Sequence, residues 1–231
     1  LAVSPGLDEG VASRLSAVRA RIFAACSRAG RKPERVRLIA VSKGHGPDSV
    51  RAAYAAGQRD FGESYAQELK QKAAALADLP ELRLRFIGRL QRNKVKDVVA
   101  LGCAIDGVDS LELAQRLSQR ALALGRALDL LVQVNVDREP QKSGVLPEAV
   151  PELVEAMRAL PAVSLHGLMA IPRASESPEQ MRPAFAAVRA LAERLSLLEL
   201  SMGMSDDLEV AVEEGATMVR VGTAIFGARD R

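Results

Sequence analysis

A chain of 231 residues with 48% apolar and 26% charged residues has the balance of an ordinary globular protein and enough length for one large core, which excludes a disordered tail-like chain. Its 32 basic and 29 acidic residues are spread rather than blocked, and only Arg89 to Lys96 is locally basic, so a nucleic-acid partner is not expected and that stretch reads as a solvated helix start. Cys26 and Cys103 are too few for a disulfide framework, Leu1 to Glu9 lacks the pattern of a secretory leader, and no stretch approaches the roughly 20 apolar residues of a membrane span. A cytoplasmic protein with no membrane partner is expected.

The first predicted element is a helix over Asp8 to Ala29. Short apolar runs then alternate with helical patterns, placing strands at Val36 to Ser42, Asp60 to Glu63, Leu82 to Gly88, Ala104 to Val108, Asp129 to Val136, Val163 to Ile171, Leu197 to Met202 and Met218 to Gly222. Alternation of this kind implies parallel strands joined by crossover helices. After Asp109 and Glu112, a paired start signal, Leu113, Ala114, Leu117, Ala121 and Leu124 recur at helical spacing until Gly125 supplies a stop. A clearer start is Ser177-Pro178-Glu179-Gln180, with Ser as N-cap and Pro at the first helical position. An open doubly wound sheet would use the same elements, but no Gly-x-Gly-x-x-Gly turn follows the first strand. The expected fold is therefore α/β: a single (β/α)8 TIM-like barrel over residues 1–231, with an extra N-terminal helix.

Chemistry in such a barrel belongs at the carboxyl ends of the strands, so polar residues there are the candidates. Two-residue alternation puts Lys43 on the side of Val41 and Ile39, which is assigned to the interior. A lysine dehydrated there would hold more free amine for attack on an aldehyde, although the same side chain could snorkel from the rim into water. In the last strand Arg220 and Gly222 share the inward side, and a buried guanidinium needs a carboxylate such as Glu199 or a ligand acceptor. The turns holding Ser201 with Gly203, and Gly222 with Thr223, fall where these barrels often bind phosphate. Ser205, Asp206 and Asp207 read as an ordinary helix cap. His166 reads as a hydrogen-bonded interior histidine, and His45 has no role assigned by spacing. Amine, inward Arg and phosphate cradle together describe a pyridoxal 5'-phosphate (PLP) pocket better than any one of them.

Ordered motifs along almost the whole chain sharpen this reading: Ala40-Val41-Ser42-Lys43, Phe61-Gly62-Glu63, Phe86-Ile87-Gly88 with Leu90-Gln91 and Asn93-Lys94, Gln133-Val134-Asn135 with Lys142-Ser143-Gly144, Gly167 to Pro172, and Leu200 to Gly227. With them the chain resembles the pyridoxal phosphate homeostasis proteins, the YggS/PROSC-like group, whose fold is similar to the barrel domain of alanine racemase. The resemblance implies PLP as cofactor, held as a Schiff base on Lys43, with Arg220 approaching the pyridine nitrogen and Ser201, Gly222 and Thr223 binding phosphate. Two departures stand out: Ser64 occupies the position after Phe-Gly-Glu where the family usually has Asn, and Leu84-Arg85 replace Trp-His before Phe-Ile-Gly. The candidate cofactor site is Lys43, Ser64, Ser201, Gly203, Arg220, Gly222 and Thr223, with no metal; Lys142 is left out as a solvated loop lysine.

The resemblance further implies a binding and delivery protein of vitamin B6 homeostasis that passes PLP to apo-enzymes; a monomer without catalysis of its own is expected. The alternative is a PLP-dependent racemase or related enzyme with weak activity. Racemisation needs an acid/base group on each face of the substrate carbanion, and Lys43 supplies one. With the chain ending at Arg231 no second domain is expected to bring another, and Tyr54 and Tyr65 flank the second strand, poorly placed to face Lys43.

Overall fold

Each strand of the chain finds its neighbour in sequence order, and the last returns to the first. In the computed structural model, which describes residues 5–173 and 175–228, this gives a closed parallel barrel. Residues 1–4 of the opening segment and the chain end at Arg231 lie outside the described residues. The strands are β1 (Arg37–Val41), β2 (Asp60–Glu63), β3 (Arg83–Phe86), β4 (Ala104–Val108), β5 (Leu128–Val134), β6 (Val163–Ala170), β7 (Glu199–Ser201) and β8 (Met218–Val221). Closure is made by β8 against β1, with Arg37 opposite Met218 and Ile39 opposite Arg220. The expected (β/α)8 barrel with an added N-terminal helix is the fold observed.

Helices follow the strands: α1 (Pro5–Arg28) precedes the barrel, and α2 (Pro47–Ala55), α3 (Ala66–Ala75), α4 (Val95–Leu101), α5 (Leu111–Ala123), α6 (Val150–Arg158), α7 (Arg182–Arg194), α8 (Leu208–Glu213) and α9 (Thr223–Phe226) come between or after the strands. Alternation along the strands separates two cores. Leu38, Ala40, Phe61, Ile105, Leu130, Val219 and Val221 face the helices in one large cluster, whereas Ile39, Leu131, Met169 and Met218 form a small apolar plug inside the ring. The rest of the interior holds charged and polar side chains, because Arg85, Asp106, Ser201 and Arg220 are all buried. That polar filling positions the site described below.

Helix α1 adheres through the stripe Val11, Leu15, Val18, Ile22 and Cys26, all buried, at the spacing of one helical face. Each fully buried apolar side chain of this size contributes about 1.5–3 kcal/mol, so the stripe alone accounts for its attachment. Charged clasps fix its direction. Arg21 donates to both carboxylate oxygens of Glu209 (2.6 and 2.8 Å), and Arg28 donates to Glu213 (2.8 Å). Glu213 is also reached by Arg182 (2.7 Å), which holds Glu214 (3.0 Å) and Glu179 as well, so α1, α7 and α8 share one ionic network.

Four local expectations shift. Helix α5 is capped by Ser110, whose hydroxyl accepts from the Leu113 N–H (3.3 Å); the cap lies one residue past Asp109, and Glu112 instead pairs with Arg92 and Arg116. Ser177 opens a 3-10 turn over Pro178–Met181 without side-chain capping, because the Gln180 N–H that its hydroxyl would accept from donates instead to the Ser177 carbonyl (3.1 Å). Helix α8 begins after Asp207, so Ser205 is no cap; its hydroxyl accepts from Ala224 N–H (3.4 Å) just past the neighbouring strand β8. His166 is hydrogen-bonded as expected, to Asp129 (2.8 Å), but its side chain is 41% exposed and lies outside the interior.

The hydrogen bond from Arg182 holds the Glu213 carboxyl below its usual range. A depressed carboxyl pKa contributes stability that is full above the ordinary value and is lost as pH falls through the depressed one. Thermal unfolding followed by circular dichroism is expected to show Tm falling between about pH 5 and about pH 3. Arg182→Ala is expected to lower Tm at neutral pH by about 2–4 °C and to flatten that acid dependence.

Candidate functional site

The seven sequence-selected residues fall on β7, β8, β1 and β2, which are consecutive around the closed ring, and all lie at or just past the carboxyl ends of those strands. Lys43 sits in the turn immediately after β1 and is half-buried, so its dehydration is partial. Beside it, Gly222 packs so closely on β1 that an added Cβ would lie 3.2 Å from the Val41 carbonyl. Ser64, half-buried, follows β2, whose register pairs Val41 with Gly62. Thr223 is exposed on the first turn of α9. Gly203 turns the chain after β7 with φ of 93°, where an L side chain is strained and a Cβ would meet that of Ala211 at 2.5 Å.

The turn bearing Lys43 is clamped from below by residues that had no assigned role in the sequence. Ser42 donates its hydroxyl to Glu63 Oε1 (2.5 Å), and Lys72 Nζ donates both to that oxygen (2.6 Å) and to the Ser42 carbonyl (2.6 Å). Gly44, at φ of 76°, donates its N–H to Glu68 (2.8 Å), while His45 N–H returns to the Ser42 carbonyl (3.0 Å). Glu68 and Lys72 are one turn apart on α3, so one helix face grips both sides of the turn. Burial pushes the Glu63 carboxyl up from its usual range, and the hydrogen bonds from Lys72 and Ser42 oppose that rise. His45 stacks against Phe226 of α9 with ring centroids 5.2 Å apart, joining the β1 and β8 loops.

Arg220 points into the barrel, as alternation required, but Glu199 is not its partner. Its Nη1 donates to Ser201 Oγ (2.8 Å) and its Nη2 to the Ala170 carbonyl (2.9 Å). Ser201 in turn donates to Asp106 Oδ2 (3.1 Å), and Arg85 Nε donates to Asp106 Oδ1 (2.5 Å). Glu199 lies two residues earlier on β7, toward the opposite end of the barrel, 3.7 Å from both Arg37 and Arg85. Burial lowers the Arg220 pKa, and the charges of Asp106 and Asp207 work against that shift. Asp207, read in the sequence as part of a cap, is buried and accepts from the Met204 N–H (2.6 Å).

A cavity of about 280 Å³ opens on the other half of the same mouth, lined by Ser64, Gly88, Gln133, Asn135, Lys142 and Ile171. Lys142 is thus a mouth residue as well as a loop lysine, ion-paired with Glu139. A larger cavity, about 880 Å³, lies at the strand starts among Arg37, Asp60, Arg83 and Asp129. Size does not decide between them, because in these barrels the chemistry gathers at the carboxyl face. Tyr54 is turned away, its hydroxyl donating to the Pro80 carbonyl (2.7 Å) under the Arg59 guanidinium, and Tyr65 is 56% exposed. Among the described residues no group of three His, Cys, Asp or Glu could hold a metal ion.

Comparison with known proteins gives the family. The family model for the alanine racemase N-terminal domain matches residues 13–230. A pyridoxal phosphate homeostasis protein of Pseudomonas aeruginosa is 49% identical over 95% of this chain and 96% of its own length. One from Aquifex aeolicus is 45% identical, covering 94% of this chain and 97% of its own. The chain belongs to the pyridoxal phosphate homeostasis protein family. Among solved structures, PipY of Synechococcus elongatus PCC7942 with PLP bound superposes with a TM-score of 0.84 at 40% identity, over 94% of this chain and 100% of that one.

Lys72→Met strands the buried Glu63 carboxylate without its cation and is expected to cost about 3–5 kcal/mol in urea unfolding. Combining it with Glu63→Gln is expected to recover most of that loss, since no unpaired charge then remains. A double variant no more stable than Lys72→Met would show that the pair's charge is not what matters.

Proposed function

We propose that this chain is a PLP-binding protein of vitamin B6 homeostasis that holds the cofactor on Lys43 and delivers it to apo-enzymes, without a catalytic cycle of its own. The observation that carries the proposal is the meeting of the Lys43 turn and the buried Arg220 at one mouth. They come from adjacent strands β1 and β8, and Gly222 leaves the space between them clear of a side chain. The donor set suits PLP: a primary amine for the aldehyde, a cation for the ring end, and small residues and hydroxyls for the phosphate. When bound, the cofactor supplies an aldehyde carbon to which a lysine nitrogen bonds as a Schiff base, with water leaving.

Within that reading Lys43 anchors the aldehyde end and Arg220 sets a positive charge against the pyridine nitrogen, disfavouring its protonation and restraining carbanion chemistry. Gly222, Thr223 and Gly203 border the phosphate end, and Ser64 borders the cofactor from the β2 side. Ser201, expected at the phosphate, has its hydroxyl committed to Asp106 and Arg220 in the interior, so its part is to orient Arg220. The racemase reading is disfavoured because the Tyr54 hydroxyl is committed to Pro80 on the outside of the barrel and does not oppose Lys43. We further propose a monomeric state and a cytoplasmic location, the latter supported by two buried free cysteines and by the absence, among the described residues, of a helix long and apolar enough to cross a membrane.

The test is a visible spectrum of the protein incubated with PLP, followed by borohydride reduction and peptide mapping. Wild type is expected to carry one pyridoxyl group on the peptide containing Lys43, and Lys43→Ala to lose both the visible band and the label. Retained colour in the variant would overturn the assignment, sustained turnover of L- or D-alanine would overturn the carrier reading, and failure to reactivate an apo-enzyme would overturn delivery.

A further inference from the structure

We propose that Asp106 is a positioning residue for Arg220: a single buried carboxylate, set on the far side of the barrel, that fixes the direction of the Ser201 hydroxyl and through it the guanidinium at the cofactor mouth. The inference rests on the reading of Arg220 as a cofactor contact and deepens it.

The geometry that points to this is a continuous chain across the interior. Asp106 is fully buried on β4, which lies opposite β8 in the ring, so its side chain and that of Arg220 approach from opposing walls. Oδ1 accepts from Arg85 Nε at 2.5 Å, and Oδ2 accepts from Ser201 Oγ at 3.1 Å. A serine hydroxyl has one proton and two acceptor positions. With the proton spent on Asp106, the oxygen can only accept toward Arg220, which is the contact observed at 2.8 Å. The Ala170 carbonyl holds the other terminal nitrogen at 2.9 Å, so the guanidinium plane is fixed at two points.

Charge requires the same residue. Arg85 and Arg220 are both buried, and Asp106 lies between them in the chain; Asp207 is the other carboxylate acting on Arg220. Arg85 is also where this sequence departs from the Trp-His pattern before Phe-Ile-Gly, and its buried charge finds a hydrogen-bonded counter-ion in Asp106. Asp106 therefore has two separable duties: neutralising Arg85, which concerns the fold, and orienting Ser201 and Arg220, which concerns the site.

Those duties are separated by comparing Asp106→Asn, Ser201→Ala and the double variant Arg85→Met with Asp106→Leu, whose side chain offers Ser201 no acceptor. The readouts are urea stability of the apo-protein, the arginine side-chain ¹⁵N spectrum of the apo-protein, and PLP affinity by absorbance titration. Asp106→Asn presents an amide to Ser201, releases the hydroxyl proton to turn, and is expected to shift the Arg220 signals and weaken PLP about 10-fold. The double variant, which removes both charges of the fold pair, is expected to regain stability but to keep the altered Arg220 signals and the weakened affinity. Ser201→Ala is expected to reproduce the affinity loss, with no further loss when combined with Asp106→Asn. If the double variant regains affinity along with stability, or if Arg220 signals in Asp106→Asn match wild type, the positioning role is overturned and Asp106 serves the fold alone. Failure of the wild type to bind PLP would instead overturn the site reading, while the apo-protein spectrum would still decide whether Asp106 orients Arg220.

Discussion

The pairing of β8 with β1 is the constraint on which the site depends. It places Arg220 level with Ile39 and packs Gly222 against Val41, so that residues from the two ends of the sequence become neighbours at one rim. Without closure, Lys43 would end an edge strand facing solvent and Arg220 would have no enclosed interior to enter. Helix α1 reinforces that seam from outside: it packs on α2, α8 and α9, the helices that flank β8 and β1. The extra N-terminal helix thus belongs to the architecture that holds the site's two sides together.

Two buried charged networks carry the local order, and they differ in kind. Under the β1 turn, Glu63, Lys72 and Ser42 bind backbone as well as one another, so they hold a segment in place. Inside the ring, Arg85, Asp106, Ser201 and Arg220 are linked side chain to side chain, with one backbone contact from Arg220 to the Ala170 carbonyl, so they hold a charge and a direction. Both cost desolvation, visible in the upward displacement of the Glu63 and Asp106 carboxyls by burial. An apolar filling would have been cheaper for the fold alone. The small plug of Ile39, Leu131, Met169 and Met218 shows that the chain uses such filling where no charge is needed.

Much of this was legible in the residues because it follows from period and position. Alternation of side chains along Met218–Val221 was enough to send Arg220 inward, and the strand ends selected the rim. The partner of Arg220 was not legible, since Asp106 comes from the opposite wall and no spacing rule links β4 to β8 across a ring. Glu199 was the wrong candidate for a simple reason: a strand advances about 3.3 Å per residue, and two residues carried it out of reach toward the other rim. Glu68 and Lys72 offered a signal in their four-residue spacing on α3, but that spacing also describes an ordinary surface pair. Only the burial of Lys72 against Glu63, a contact between α3 and β2, makes it a clamp.

The two ends of the candidate site are held with unequal firmness, and that inequality bears on what a carrier needs. Arg220 is anchored in the core at both terminal nitrogens, whereas Lys43 stands on a turn past the end of its strand, half-open to solvent. An enzyme profits from excluding water around the reacting carbon, because each electrostatic contact there is strengthened. A protein that must give its cargo away needs the reverse, since water has to reach the Schiff-base carbon for the bond to reopen. On the proposed reading, a rigid cation at the ring end and an amine on a half-buried turn at the aldehyde end meet that requirement together: the first would give recognition without the electron withdrawal of a protonated ring, and the second would keep the covalent bond within reach of water. On that reading the fold's buried charge goes to holding the anchor still, while the amine that would make and break the bond stands on a turn past the end of its strand.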